Sequence, residues 1–501
     1  MRPPEDVAET AARARLRRIG VIDVGSNSVR LVVFDGMDRS PAYFYNEKVL
    51  CGLGAGLLDT GKLNPEGWRK AMAALERFTA LASRMHVSGL VAVATAAVRE
   101  SVDGPLFCDE VARLTGLQLQ VASGPEEARL SANGVLLGWP AARGVVCDMG
   151  GSSTELAQVS EGGIHACETA PLGPLKLADI PEGDMRTKYI RRQVKALRKA
   201  VPGDAHRLFL VGGSWRAIAR LDMERSAYPL KVLHGYEPPI PQLLETLDWI
   251  PTQKIEDLSA LSGTSAARLS LVPLVGPVLA ELIRRIEPDR VAVSAYGLRE
   301  GLLYRQMPEE MRKLDPLIES CLHAEARSAR MPGFGMALHD WLAPLYAEAP
   351  ESEKRLVRAA CLLHDVNWRA HPDYRSETCF AFVTRSNLGG LDHSERVFLG
   401  MALLNRYKTN VPSGTVAHYE PLIAPKRRTD AVVLGRLMRL GSMLSGSASG
   451  VLALTSLSFE NGRLILTLRG KARACIGDAV ERRLQSLASK LDVPSEIVLE
   501  P

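Results

Sequence analysis

Twice in this 501-residue chain an apolar strand ends on an aspartate and runs into a turn of small polar residues. VIDVGSNS carries Asp23 followed by Gly25, Ser26, Asn27 and Ser28; VVCDMGGSS carries Asp148 followed by Gly150, Gly151, Ser152 and Ser153. Small residues leave backbone N–H groups uncrowded, and the hydroxyls and the amide add donors, which together make a nest for phosphate oxygens. One such turn would be an ordinary hairpin, because glycine serves any tight backbone. Two of them, 125 residues apart in the same strand–turn–strand setting, point to phosphate.

The carboxylates nearby extend that chemistry. Asp148 closes a very apolar strand, where an unpaired carboxylate is costly to bury. With Glu155 seven residues later it brackets the second turn. Two carboxylates beside a phosphate loop suit Mg²⁺, which takes one or two of them together with phosphate oxygens and water. Turn capping by Asp148 and a solvated Glu155 is the plainer alternative. In SGPEEARL, Ser123 and Pro125 start a helix and put Glu126 and Glu127 in its first turn, beside the positive end of the dipole. Acidic residues there commonly do no more than stabilise a helix, but a base that orients water for hydrolysis would stand in the same place. Arg99 follows the strand in VAVATAAVRES and suits either a bidentate phosphate contact or a salt bridge. His364 and Asp365, adjacent in CLLHDV, resemble the core of a metal-dependent phosphohydrolase pattern without its further ligands; a vestigial or structural role is favoured, with a second metal site as the alternative. Seven basic residues and no acid lie between Arg186 and Lys199, either a solvated helix face or a track for a long polyanion.

These residues need elements to hold them. After a helical leader, RIGVID and VRLVVFD read as a hairpin, and the second copy repeats it. Between the copies helices alternate with the strands GLVAVAT and LQLQVAS; after them come RLFLVGG and RVAVSA, so two similar α/β lobes are expected to face one cleft. From 308 onward helical periodicity takes over, and the tail holds a hairpin with an Asn461–Gly462 turn followed by a helix. The expected divisions are a leader 1–17, lobes 18–135 and 136–307, a helical domain 308–435 and a small α+β domain 436–501.

Composition excludes several classes. With 46% hydrophobic and 24% charged residues the chain is globular, neither disordered nor fibrous. A net charge of +5 does not announce a nucleic-acid binder, and none is expected. Eight cysteines without a CxxC pair read as reduced thiols. The charged amino terminus lacks the apolar core of a secretory signal, and the longest uncharged stretch, from Leu440 to Phe459, is half Ser, Thr and Gly. A cytoplasmic protein with no membrane partner is expected.

IDVGSNSVRLVV, ATAAVRES, SGPEEARL, CDMGGSSTELA, LVGGSWRAIA and AYGLREGLLY resemble, in order and over about residues 18–306, the exopolyphosphatase and guanosine pentaphosphate phosphohydrolase (Ppx/GppA) family. The resemblance implies the duplicated fold of actin, Hsp70 and the sugar kinases, with ribonuclease H-like lobes. For the longer members it also implies an HD-like, mainly α-helical domain and a small terminal domain. It implies that Glu127, beside Glu126, is the catalytic base, that Asp148 and Glu155 hold Mg²⁺, and that the two glycine turns, Arg99 and Arg268 bind phosphate. Ser152 stands where the family usually has a third glycine. The implied reaction is hydrolysis of the terminal phosphoanhydride of inorganic polyphosphate, with guanosine pentaphosphate as the alternative substrate and a homodimer as the assembly. A kinase of the same fold would need a nucleotide site and an acceptor pocket. A non-catalytic polyphosphate or nucleotide sensor would gain nothing from carboxylates buried near a polyanion.

Overall fold

The computed structural model describes residues 17–203, 206–408, 414 and 416–501; the expected leader, apart from residue 17, lies outside them. The chain forms two compact units, the first ending at Leu314 and the second running from Asp315 to Pro501.

In the first unit the repeat is structural. Strands β1 (Ile19–Val24), β2 (Ser28–Phe34), β3 (Tyr43–Leu50), β4 (Gly89–Ala94) and β5 (Leu119–Val121) form one sheet in the order β3-β2-β1-β4-β5. Strands β6 (Gly144–Met149), β7 (Thr154–Ser160), β8 (Gly163–Ala170), β9 (Arg207–Gly212) and β10 (Arg290–Val293) form the other in the order β10-β9-β6-β7-β8, the same arrangement read backwards. Each central strand pairs antiparallel with its hairpin partner and parallel with the strand on its other side. Both central strands are apolar on both faces, as strands covered by helices on either side must be. In IGVIDV and GVVCDM every residue is buried except the aspartate, which sits half-buried at the fifth position of each.

The third strand of each lobe, β3 and β8, is absent from the sequence reading. Both are edge strands with largely exposed or half-buried residues, and YFYNEKVL carries charges that blur the apolar run.

Helices α1 (Pro65–Arg84), α2 (Ala96–Glu100), α3 (Gly124–Gly138), α4 (Asp184–Ala200), α5 (Gly213–Arg225), α6 (Val272–Ile286) and α7 (Leu298–Gln306) complete the lobes. Each sheet buries one face in its own lobe. A shared core joins the other faces: Val21 and Val32 of the first sheet, Val146 and Ala157 of the second, Ala132 and Val135 of α3, and Leu302 and Leu303 of α7. Two glycines allow α3 and α7 to cross this closely: a Cβ on Gly301 would lie 1.7 Å from the Leu130 carbonyl, and one on Gly134 2.3 Å from that of Gly297. The crossing brings the amino end of α7 to the mouth between the lobes.

The second unit is mainly helical and ends in a three-stranded sheet, β11 (Thr455–Glu460), β12 (Arg463–Arg469) and β13 (Ser495–Glu500). Asn461 and Gly462 have φ of 51° and 73°, as a type I′ turn requires. The sequence reading omits β13, which pairs parallel with β12 after the helix Asp478–Leu491. Two expected boundaries shift. The helix Glu309–Lys313 stays with the first unit, and the helix Pro425–Ser445 passes unbroken through the division expected at 435. No helix among the described residues is long and apolar enough to cross a membrane.

Candidate active-site cleft

Between the lobes lies a cleft of about 380 Å³ into which both glycine turns open. The turns close identically: Gly25 N–H donates to the Ser28 carbonyl at 3.0 Å, and Gly150 N–H donates to that of Ser153 at 3.0 Å. They also face each other, with the Ser152 hydroxyl donating to Ser26 Oγ at 3.4 Å. Gly25, Ser26, Asn27, Ser28, Gly150, Gly151, Ser152 and Ser153 all line the cleft.

The acidic side is built by β6, β7 and α3. Asp148 and Glu155 are directly opposite one another in the β6–β7 register. Glu127 and Ser131, four residues apart on α3, share the face turned toward β6, and the Ser131 hydroxyl donates to Asp148. Thr169 Oγ1 donates to Glu155 at 3.0 Å. Glycine is required at 212, where φ is 114° and a Cβ would lie 3.0 Å from Asp148 Oδ1. Burial raises the Asp148 and Glu155 carboxyls above the usual carboxylate range, Glu155 strongly, with neighbouring carboxylates adding to the effect. Burial pushes Glu127 up to about 7, against the pull of Arg99.

The basic side comes from several elements. Arg30 on β2 stands between Asp23 on β1 and Lys48 on β3 in the sheet register, so these three lie abreast on one face. Arg216 from α5, Arg268, and Arg299 from α7 complete a set of five cations facing four carboxylates. Arg299 approaches Asp23 at 3.8 Å, while Arg216 donates to the Ala295 carbonyl at 3.0 Å. Glu300 is spent on structure: it accepts from Gly297 N–H at 2.7 Å and from the Tyr43 hydroxyl at 3.0 Å. Burial first and the neighbouring cations second lower Arg30 and Lys48 and bring Arg216 down to about 10. Guanidiniums crowded this way favour an incoming anion. Gly212, Gly213 and Ser214 also line the cleft, where α5 begins without a side-chain cap and leaves its first N–H groups for an anion.

Two sequence expectations are corrected, those for Arg99 and Glu126. Arg99 does not line the cleft: from α2 it donates to Glu127 and, at 2.7 Å, to the Ala122 carbonyl, because the buried Glu127 carboxylate needs a counter-ion. Glu126 points away and caps α3, accepting from Ser123 N–H at 2.8 Å. His364 and Asp365 are buried in the second unit, where Arg330 donates to both Asp365 oxygens at 2.7 and 2.8 Å and His364 Nδ1 bonds the Cys361 carbonyl at 2.8 Å. Among the described residues no third His, Cys, Asp or Glu joins them as a metal group. The sequence reading assigned no role to Arg30, Lys48, Arg216, Arg299 or Ser131. Asp23 it used only as half of the repeat.

A family model described as Ppx/GppA phosphatase family matches residues 32–310, and one described as exopolyphosphatase, C-terminal, matches 327–495. The chain belongs to the Ppx/GppA phosphatase family. Exopolyphosphatase 2 of Mycobacterium tuberculosis is 27% identical over 312 residues, covering 57% of this chain and 98% of its own. Guanosine-5′-triphosphate,3′-diphosphate pyrophosphatase of Vibrio campbellii is 23% identical over 473 residues, covering 90% and 91%. Among solved structures, the Aquifex aeolicus member of the Ppx/GppA family has a TM-score of 0.50 at 25% identity, covering 58% of this chain and 97% of its own. An exopolyphosphatase from Cytophaga hutchinsonii shares the fold with a TM-score of 0.52 at 22% identity, covering 57% and 97%. As a Ppx/GppA phosphatase the protein is a phosphoanhydride hydrolase, and its cleft brings the two glycine turns, Glu127 and the buried Asp148 and Glu155 together.

Proposed function

We propose that this protein is an exopolyphosphatase that removes the terminal phosphate of inorganic polyphosphate as orthophosphate. The observation that carries this reading is the meeting of the two glycine turns beside Glu127 and Asp148. The turn amides and the amino end of α5 hold the end phosphate, and Arg30, Lys48 and Arg268 hold the units behind it. Glu127, which is largely ionised above pH 7, accepts a proton from water. The water oxygen bonds to the terminal phosphorus as the bridging P–O bond breaks in line. The leaving oxyanion stays on the shortened chain. Ser131 and Thr169 keep Asp148 and Glu155 aimed into the site.

The buried Asp148 and Glu155 suit a divalent cation such as Mg²⁺, which takes one or two carboxylates and completes its shell with phosphate oxygens and water. When bound it supplies charge neutralisation on the transferring phosphoryl group.

Guanosine pentaphosphate is the second reading, favoured by the Vibrio campbellii relative's coverage of 90% of the chain. Polyphosphate is preferred because no aromatic side chain lines the cleft among the described residues, leaving a guanine base no ring to stack on. Orthophosphate release from both substrates with Mg²⁺, side by side, tests the choice. Higher kcat/KM for polyphosphate supports the proposal; preference for the nucleotide moves the protein to the second reading, and turnover of neither rejects both.

A further inference from the structure

The sequence singles out one basic stretch that the cleft does not use. The seven cations between Arg186 and Lys199 outnumber the chain's whole excess of +5; without them the chain would stand at −2. They lie on α4, which is oriented by Ile190, Val194 and Leu197 buried in the core of the second lobe. Two are committed locally. Arg186 donates to the Ile180 carbonyl at 3.1 and 2.8 Å, and Arg198 to those of Val201 and Gly203, both at 2.9 Å. The other five, Lys188, Arg191, Arg192, Lys195 and Lys199, are exposed and make no ion pair among the described residues. At a rise of about 1.5 Å per residue, positions 188 to 199 span ~16 Å of helix.

The helix is tied to the cleft by one short segment. Gly173 N–H donates to the Ser152 carbonyl and Leu175 N–H to that of Gly151, both at 3.0 Å, and Pro174 between them lines the cleft. At its other side the same segment accepts the Tyr189 hydroxyl on the Pro171 carbonyl at 3.0 Å and the Arg186 guanidinium on Ile180. The second glycine turn and the amino end of α4 are therefore two hydrogen-bonded steps apart.

We infer that the exposed cationic stripe of α4 is a distal binding track for the substrate's own chain, holding the part of a long polyphosphate that extends out of the cleft. This rests on the polyphosphate reading of the cleft and adds chain-length preference to it. A polyanion with its end phosphate at Gly150–Ser153 passes over the 171–180 segment and meets five exposed cations between 188 and 199, a stretch without an acid, the nearest acids being Asp179, Glu182 and Asp184 at its amino side. Two linked contacts raise apparent affinity without changing the chemical step, and the gain disappears for chains too short to span both. Release of counterions from the chain makes that gain fall as salt rises.

The test compares long-chain polyphosphate with tripolyphosphate in the parent and in the combined variant Lys188→Gln, Arg192→Gln, Lys195→Gln. The KM for the long chain is expected to rise about tenfold at low salt with kcat within about twofold, while tripolyphosphate kinetics stay at parental values and show that the variant is folded. The charge-preserving variant Lys188→Arg, Lys195→Arg is expected to keep the parental KM for both. Unchanged long-chain KM in the glutamine variant, or an equal loss for both lengths with a parental melting temperature, overturns the inference. Should the parent hydrolyse neither polyphosphate, the cleft reading fails on its own account. The track is then judged by direct binding of labelled long-chain polyphosphate, and equal binding by parent and glutamine variant rejects it. Lost retention of RNA or of phosphatidylserine vesicles, with polyphosphate binding untouched, also rejects it.

Discussion

The two lobes place an aspartate at the same point of the same strand, yet put opposite charges beside it. In the first lobe the residue across the hairpin from Asp23 is Arg30, with Lys48 next in register; in the second, the residue across from Asp148 is Glu155. The turns close with the same hydrogen bond and the central strands bury the same positions, so the scaffold is duplicated while its chemistry is not. A duplicated phosphate turn gives two sets of donors for one anion. On the proposed reading the labour is then divided between two hairpins: Arg30 and Lys48 beside Asp23, helped by Arg216, Arg268 and Arg299 of the second lobe, grip the chain, and Asp148 with Glu155, joined by Glu127 from α3, carries the chemistry.

Substitutions on the two walls should separate these roles. The largest effect is expected on the acidic side, where Asp148→Asn lowers kcat by about 10²–10⁴-fold with little change in polyphosphate binding, as read by steady-state kinetics and direct titration. On the opposite wall Arg30→Gln should raise KM about tenfold and leave kcat nearly unchanged, since a charge-assisted contact to substrate is lost. A kcat defect for Arg30→Gln as large as that of Asp148→Asn would erase the distinction.

Subtler effects belong to Arg99 and Glu127. Arg99 pulls the Glu127 proton affinity down, so Arg99→Gln should shift the acid limb of the kcat/KM profile from near pH 7 to higher pH, by about one unit. Stability moves the other way. Glu127 is raised from an ordinary 4.5 to about 7 on folding, so the stability that burial of its neutral form provides is fully present below 4.5 and is lost as pH rises through 7. Glu127→Gln should therefore stabilise the metal-free protein by about 1–3 kcal/mol at pH 8, with the difference vanishing near pH 4.5; thermal unfolding at the two pH values reads it.

The turns and their aspartates were legible because a nest is local: Gly150 through Ser153 carry their geometry in four consecutive residues. Glu127 lines the cleft, since it begins a helix that follows a strand into it. Arg30, Lys48, Arg216 and Arg299 were not found, because each is an ordinary residue of a strand or helix and only the sheet register and the α3–α7 crossing bring them together. Arg99 was given the wrong partner for a similar reason. An arginine after a strand reads as a phosphate ligand until the buried carboxylate beside it is seen. Glu126 and Glu127 differ by one helical step, which turns one into the cleft and leaves the other to cap the helix. The His364–Asp365 pair shows the limit of adjacency, for Arg330, which is distant in sequence, occupies the aspartate.

The division between gripping cations and reacting acids is tested most directly with Glu127→Gln, by measuring orthophosphate release and polyphosphate binding on the same protein. The account predicts binding within about twofold of the parent and turnover lower by at least about 10²-fold. Binding and turnover lost together, or turnover retained, would contradict it.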